Sequence, residues 1–151
     1  NKFEENLSRL NIKINIQKID FLKKKFTDKF NSILLDAPCS ALGTFRRNPD
    51  VTVKIDPSQI KKHQKTQIQM LEKSLKILNN GGFLVYIVCS FHPFETIDVI
   101  DKIIQKHKNV KIHCIETDKM IKRQNGYFIN PLSFKDIGGS DIFFVSVIEK
   151  I

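Results

Sequence analysis

Two cysteines in this sequence stand where α/β proteins do chemistry. Cys39 follows a compact apolar run at residues 32–35 and the turn Asp36-Ala37-Pro38, and Cys89 directly follows the apolar run at residues 83–88. A thiol becomes a nucleophile once nearby positive charge or a helix N-terminus lowers its pKa. Cys89 lies a few residues before a helix expected to open at Pro93, with His92 between them. A lone cysteine in a sheet is usually packing; two at equivalent positions past two strands point to a shared site. Cys114 has no such setting and reads as structural. Ligands of open parallel sheets sit beyond the carboxyl ends of the strands. With Asp36 ending one run and Asp20 ending an earlier one, two thiols and two carboxylates are expected to converge on one cleft. No metal is expected, because His63, His92, His107 and His113 show no ligand spacing and the cysteines form no C-x-x-C pair.

The elements that must position these groups alternate. Phe3, Leu7 and Leu10 fall at helical spacing. Ile12, Ile14 and Ile16 alternate with polar residues and predict a short strand ending near Asp20. Residues 32–35 and 83–88 predict buried strands. Between them, Asp56-Pro57-Ser58-Gln59 predicts a helix start, Asp56 capping, Pro57 at the first helical position and Gln59 reaching back to the cap. Ile68, Leu71, Leu75 and Leu78 form its apolar face, and Asn79-Asn80-Gly81-Gly82 ends it. Pro93 opens a helix carrying Ile97, Ile100 and Ile104, followed by short strands at 110–113 and 142–148. Residues 115–141 are turn-rich and carry no assigned order. The alternation predicts an α/β fold, a mostly parallel sheet with helices on both faces and an antiparallel last strand. One right-handed crossover places the two cysteine-bearing strands side by side or nearly so.

The chain of 151 residues is sized for one domain, residues 1–151, and its hydrophobic fraction of 41% and charged fraction of 27% are those of a soluble globular protein. The longest apolar run, 83–88, is far short of a membrane span, and residues 1–9 carry two Glu and no apolar run, unlike a signal peptide. An odd count of three cysteines argues for a reducing intracellular compartment, the cytoplasm ahead of a nucleolus or an organelle. The net charge of +9 fits a nucleic-acid partner. A chain rich in Lys, Asn and Ile would be basic by compositional drift, so charge alone is evenly balanced.

The run Asp36-Ala37-Pro38-Cys39-Ser40-Ala41-Leu42-Gly43-Thr44, continuing into Arg46-Arg47-Asn48-Pro49-Asp50, resembles motif IV of the RNA cytosine-5 methyltransferases. Leu84-Val85-Tyr86-Ile87-Val88-Cys89-Ser90, then Pro93 and Glu95, is similar to their motif VI. Residues 6–10 resemble the helix before the third strand and 141–144 the closing strand, the nearest type being the bacterial enzymes acting on small-subunit ribosomal RNA. The resemblance implies a Rossmann-like S-adenosylmethionine-dependent methyltransferase fold with its N-terminal strands missing, ribosomal RNA as partner and no membrane. It implies that Cys89 adds to carbon 6 of the target cytosine, that Cys39 assists proton removal and release, and that Asp36 hydrogen-bonds the cytosine edge. It places Asp20 on the adenosine of the cofactor, with Asp36 and Pro38 shaping that side. Arg46, Arg47 and Lys54 are expected to hold phosphates around an unstacked base, a solvated basic loop being the plain alternative. The sequence departs from the family at Val88, where Thr is usual, at Phe94-Glu95-Thr96, where Glu-Glu-Asn is usual, and at Ile142, where Gly is usual.

The family's glycine-rich cofactor loop is expected ahead of Asn1, so the 151-residue chain alone is expected to be inactive and to bind S-adenosylmethionine weakly or not at all. Two rival readings are a non-catalytic RNA-binding relative and a cysteine hydrolase in which His92 activates Cys89.

Overall fold

The computed structural model describes residues 2–151. The chain opens on α1 (Lys2–Arg9), with Glu4 and Glu5 in the first turn and Arg9 in the last, charges that complement the helix dipole. The strand expected over Ile12–Ile16 does not form. Those residues are in no ladder, and Ile12, Ile14, Ile16 and Ile19 are 43–54% exposed. Alternation describes what a strand would bury; without a neighbour to hydrogen-bond, the backbone gains nothing from extension.

β1 (Phe30–Asp36) pairs on one side only, with β2 (Leu78–Val88), and in parallel. It is an edge strand rather than the buried strand expected: Leu35 is buried, but Leu34 is 71% exposed. After the single turn α2 (Asp50–Val53), α3 (Pro57–Ile77) makes the crossover. Asp56 caps it as the sequence predicts, its carboxylate accepting from the Ser58 N–H at 2.8 Å and the Ser58 hydroxyl at 2.7 Å. Ser58, rather than Gln59, completes that cap. Ile60, Leu71 and Leu75 turn the apolar face inward. The helix ends at Ile77, earlier than expected: Leu78 is its extended C-cap and, with the Asn79–Gly82 stretch, already belongs to β2, where Gly81 takes a φ of 74°.

α4 (Ile97–Lys106) follows a short 3-10 turn, Pro93–Glu95, and adds Val99, Ile100 and Ile103 to the core that α3 shares with the sheet. β3 (Val110–Ile112), β4 (Ile121–Arg123), β5 (Gly126–Ile129) and β6 (Phe143–Lys150) complete a six-stranded sheet ordered β1-β2-β6-β5-β4, with β3 on β6. The last strand is antiparallel to β2, as expected. Within the described residues only β1 and β2 pair in parallel, because every strand after α4 joins the sheet through β6 or the hairpin.

Pleating sorts β2 by period two. Leu84, Tyr86 and Val88 face the helices with Ile148, Ser146 and Phe144 across the ladder, and all six are fully buried. α3 and α4 share this one core with that face of the sheet, so both main helices lie on one side rather than on both. No helix among the described residues is long and apolar enough to cross a membrane.

Candidate active site

The two strands that carry the cysteines are hydrogen-bonded neighbours, and Asp36 and Ile87 are paired in the ladder. The chains therefore leave the sheet together. The Ala37 N–H still donates to the Ile87 carbonyl at 3.2 Å, after which Pro38 breaks the ladder, having no N–H to give. Buried Gln67 of α3 fixes this turn by donating to the Pro38 carbonyl at 2.9 Å. The result is a Sγ–Sγ distance of 3.5 Å between Cys39 and Cys89, both half-buried and free.

The two thiols are not equivalent. The hydrogen bond from Cys39 draws the Cys89 thiol down to about 7, against partial burial and the opposing charges of Asp36 and Asp141. Cys39 moves the other way, raised by that same hydrogen bond, then by burial, with smaller contributions from the charges of Cys89 and Glu95. The pair thus leans toward thiolate at Cys89, with Cys39 favoured as the partner that keeps and donates the proton. Thiolate character is what makes a cysteine nucleophilic.

The loop after Cys39 is tied to both ends of the site. The Gly43 N–H donates to the Cys89 carbonyl and the Gly43 carbonyl accepts from the Ile142 N–H, both at 2.9 Å. A Cβ on Gly43 would come within 2.0 Å of the Ile142 carbonyl oxygen, so only glycine fits. Polar support comes from Glu95, a fully buried carboxylate that accepts from Ser40 and Ser90, the residues following each cysteine. The departure at Phe94-Glu95-Thr96 therefore leaves the loop around Cys89 supported.

The expected convergence holds for the two cysteines and Asp36, and fails for Asp20. Asp36 ends β1, exposed, near enough for its charge to oppose the Cys89 thiolate. Asp20, its side chain 52% exposed, ends no strand; it folds into its own turn, accepting from the N–H groups of Leu22 at 3.0 Å and Lys23 at 3.3 Å and pairing with the Lys23 ammonium at 3.5 Å. The basic loop is also largely engaged. Arg47 makes a two-pronged pair with Asp141, Nε at 2.7 Å and Nη2 at 2.6 Å, which holds Asp141 below the usual carboxylate range. Arg46 reaches the Gly138 carbonyl at 3.4 Å, and Lys54 pairs with Asp50 at 2.8 Å. The Lys54 pair is an exposed i,i+4 contact worth about 0.3–0.5 kcal/mol, weak enough to yield to a phosphate. Arg47 and Lys54 line a cavity of about 690 Å³ that also reaches Cys39, Ile60 and His63.

His92 does not serve Cys89. Its Nδ1 accepts from the Phe94 N–H at 3.2 Å, capping the 3-10 turn, and its ring packs edge-on against Phe94. The hydrolase arrangement is thus absent. Among the described residues, no group of three or more His, Cys, Asp or Glu is placed to hold a metal.

Sequence reasoning missed Ser40, Ser90, His63, Gln67 and Asp141 as members of the site. Ser40 and Ser90 had a signal, each following a singled-out cysteine. His63 and Gln67 lie four apart on one face of α3, a spacing that could have flagged a polar stripe aimed at the loops.

Solved structures place this arrangement in the methyltransferase class. The chain superposes on NSun6 from Pyrococcus horikoshii with SFG at a TM-score of 0.80, with 26% identity over 99% of this chain and 38% of that one. It matches a methyltransferase homolog protein from the same organism at a TM-score of 0.76 and 27% identity, covering 99% of this chain and 49% of that one. Residues 1–148 match the family described as 16S rRNA methyltransferase RsmB/F, and the chain belongs to that family. Among curated relatives, ribosomal RNA small subunit methyltransferase B of Photorhabdus laumondii is 31% identical over 99% of this chain and 34% of its own length. The tRNA (cytosine(34)-C(5))-methyltransferase of Drosophila melanogaster is 39% identical over 51% of this chain and 10% of its own. The chain thus spans about a third or less of the curated relatives it matches. The cofactor class expected from the sequence, S-adenosylmethionine, is that of the family.

The described residues do not by themselves enclose such a cofactor. Among the described residues, Asp20, Asp36 and Pro38 line none of the principal cavities, and β1 pairs with β2 alone.

Proposed function

We propose that this chain carries the acceptor side of an RNA cytosine-5 methyltransferase, with ribosomal RNA as the substrate class and Cys89 as the covalent nucleophile. The observation that carries this reading is the pair of thiols at 3.5 Å, one drawn toward thiolate and the other held protonated. An alkylation at a pyrimidine carbon needs this division. Carbon 5 of cytosine is a poor nucleophile, and temporary attachment at carbon 6 makes it a good one.

The steps assigned to this chain are addition and release. The Cys89 thiolate donates its electron pair to carbon 6, and the C5–C6 double bond shifts its electrons toward carbon 5. Asp36 hydrogen-bonds the cytosine edge and so orients the ring for attack. The methyl donor, when bound, supplies the electrophile for carbon 5. Once the sulfur of Cys89 is spent in the covalent bond, the chief influence holding Cys39 protonated is gone. Its thiol then loses a proton to solvent, and the thiolate takes the proton from carbon 5. The C–H electrons restore the double bond, and Cys89 leaves as thiolate. The target base must be out of its stack for this. Arg46, Arg47 and Lys54 are assigned to the flanking phosphates, and Asp20, from the resemblance alone, to the adenosine of the donor.

The test uses the intact protein with RNA and S-adenosylmethionine. Cys39→Ala is expected to accumulate a protein–RNA adduct that survives denaturation, and Cys89→Ala is expected to form none. Absence of both adduct and methyl transfer with Cys39 and Cys89 present would end the reading.

A further inference from the structure

We propose that Glu95, gripped from α3 by His63, is the positioning residue that holds the two thiol loops at their working separation. The inference rests on the reading above for its purpose, but not for its geometry.

The Glu95 carboxylate is fully buried and accepts four hydrogen bonds. Oε1 takes the Ser40 N–H at 2.8 Å and His63 Nδ1 at 3.0 Å; Oε2 takes the Ser40 hydroxyl at 2.5 Å and the Ser90 hydroxyl at 2.6 Å. Ser40 follows Cys39 and Ser90 follows Cys89, so one rigid group is bonded to the residue next to each sulfur. Pro38 has ended the ladder, so past it the loops depend on cross-loop ties: the Gly43 N–H to the Cys89 carbonyl at 2.9 Å, the Ser40 and Ser90 hydroxyls at 3.4 Å, and the Glu95 bracket, which bonds the residue next to each sulfur. A buried carboxylate is costly unless its acceptor sites are filled by donors, and here the donors come from both loops and from α3. Any drift of one loop would strand a buried charge, which makes the separation stiff.

The bracket is itself held. The Tyr86 hydroxyl donates to the Glu95 carbonyl at 2.7 Å from within the core, and the His92 N–H donates to the Ser90 hydroxyl at 3.1 Å. Ala41, the residue after Ser40, sits in left-handed backbone at a φ of 58°. Such a conformation persists in a non-glycine residue only where the surroundings impose it. The charge of Glu95 also helps keep the proton on Cys39. A single carboxylate therefore sets the geometry of the pair and favours which partner is the thiolate.

The test reads the thiols directly, in the intact protein with Cys114→Ser as background. Iodoacetamide labelling of Cys89 is followed by peptide mass spectrometry across pH, and Cys39–Cys89 disulfide formation is followed with diamide. Unsubstituted at Glu95, Cys89 labelling should reach half its maximum near pH 7. Glu95→Gln should move that midpoint upward by a unit or more and slow disulfide formation at least tenfold, with far-UV circular dichroism unchanged. His63→Ala should give a smaller shift in the same direction. If Glu95→Gln does not fold, Ser40→Ala and Ser90→Ala each remove one strand of the bracket and should shift the midpoint alone. An unshifted midpoint and disulfide rate in folded Glu95→Gln, or in both folded serine variants, would overturn the proposal. Neither readout involves RNA, so failure of the adduct experiment leaves this result interpretable, and the reverse.

Discussion

Two parts of this molecule both predict a strand leading to an aspartate, and they end differently. Residues 12–16 alternate apolar with polar ahead of Asp20, and residues 32–35 form a compact apolar run ahead of Asp36. The second becomes β1, delivers Asp36 beside the thiols and leads into a loop hydrogen-bonded at nearly every turn. The first joins no ladder and stays exposed, and its aspartate is bonded within its own turn. The difference is the presence of a partner. β1 has β2 on one side, whereas no strand among the described residues lies beside residues 12–16. A period-two pattern states which face a strand would bury, but the ladder and the packing come from the neighbour.

The sharpest way to break this comparison is at the well-built end. In the intact protein, Cys89→Ser should abolish adduct formation and lower methyl transfer by about 10³-fold or more, since a serine hydroxyl at neutral pH is a far weaker nucleophile than a partly ionised thiol. Radiolabel transfer to RNA measures it. Transfer within tenfold of the unsubstituted protein would show that the ordered region is not the reacting one.

Gly43→Ala attacks the order rather than the chemistry. The added carbon would sit 2.0 Å from the Ile142 oxygen and 3.0 Å from the Cys89 carbonyl carbon, both backbone atoms that cannot swing aside. A cost of about 3 kcal/mol is expected, read as a lowered urea midpoint at unchanged slope. A loss under about 0.5 kcal/mol would mean that the Cys39 loop is softer than its hydrogen bonds imply.

These contrasts also mark what the sequence could tell. Cys39 and Cys89 were legible because the physics that sorts them, apolar strand then polar turn, is local. So was the start of α3, where Asp56, Pro57 and Ser58 act within one turn. The Arg47–Asp141 pair joins residues 94 apart, and Glu95 reaches back 55 residues to Ser40; nothing local announces such partners. Arg47, expected at a phosphate, therefore carries a second role that its neighbours in sequence do not announce, a tie between the Cys39 loop and the lead into β6. The β4–β5 hairpin was missed for another reason. Its connection, Gln124-Asn125, is only two residues long and runs into Gly126, one turn signal among several in a turn-rich stretch whose flanking strands are three and four residues long.

Between the two extremes lie residues 21–29, which are anchored although they form no strand before β1. The Lys73 ammonium of α3 donates to the Leu22 carbonyl at 2.8 Å and to the Lys24 carbonyl, and lies 5.6 Å from the ring centres of Phe21 and Phe26. Lys73→Ala should cost about 1–2 kcal/mol locally. Amide exchange over residues 21–26 should then quicken about tenfold or more, while β1 and β2 keep their protection. Equal loss of protection in β2 would show the two regions to be one cooperative unit rather than a firm site with a lightly pinned approach.

The smallest expected effect tests the poorly built end. Asp20 spends its carboxylate on an exposed turn, so Asp20→Ala should change the stability of this chain by no more than about 0.5 kcal/mol. Its proposed contact with the methyl donor would appear elsewhere. By calorimetry, S-adenosylmethionine should bind this 151-residue chain more weakly than micromolar, whichever residue stands at position 20. In the intact protein, Asp20→Ala should weaken binding about tenfold if the carboxylate grips the adenosine, a loss of about 1.4 kcal/mol. Unchanged affinity there would leave Asp20 as a turn cap and nothing more. Micromolar binding by the chain alone would mean that residues 2–29, exposed as they are, close a cofactor site without a neighbouring strand.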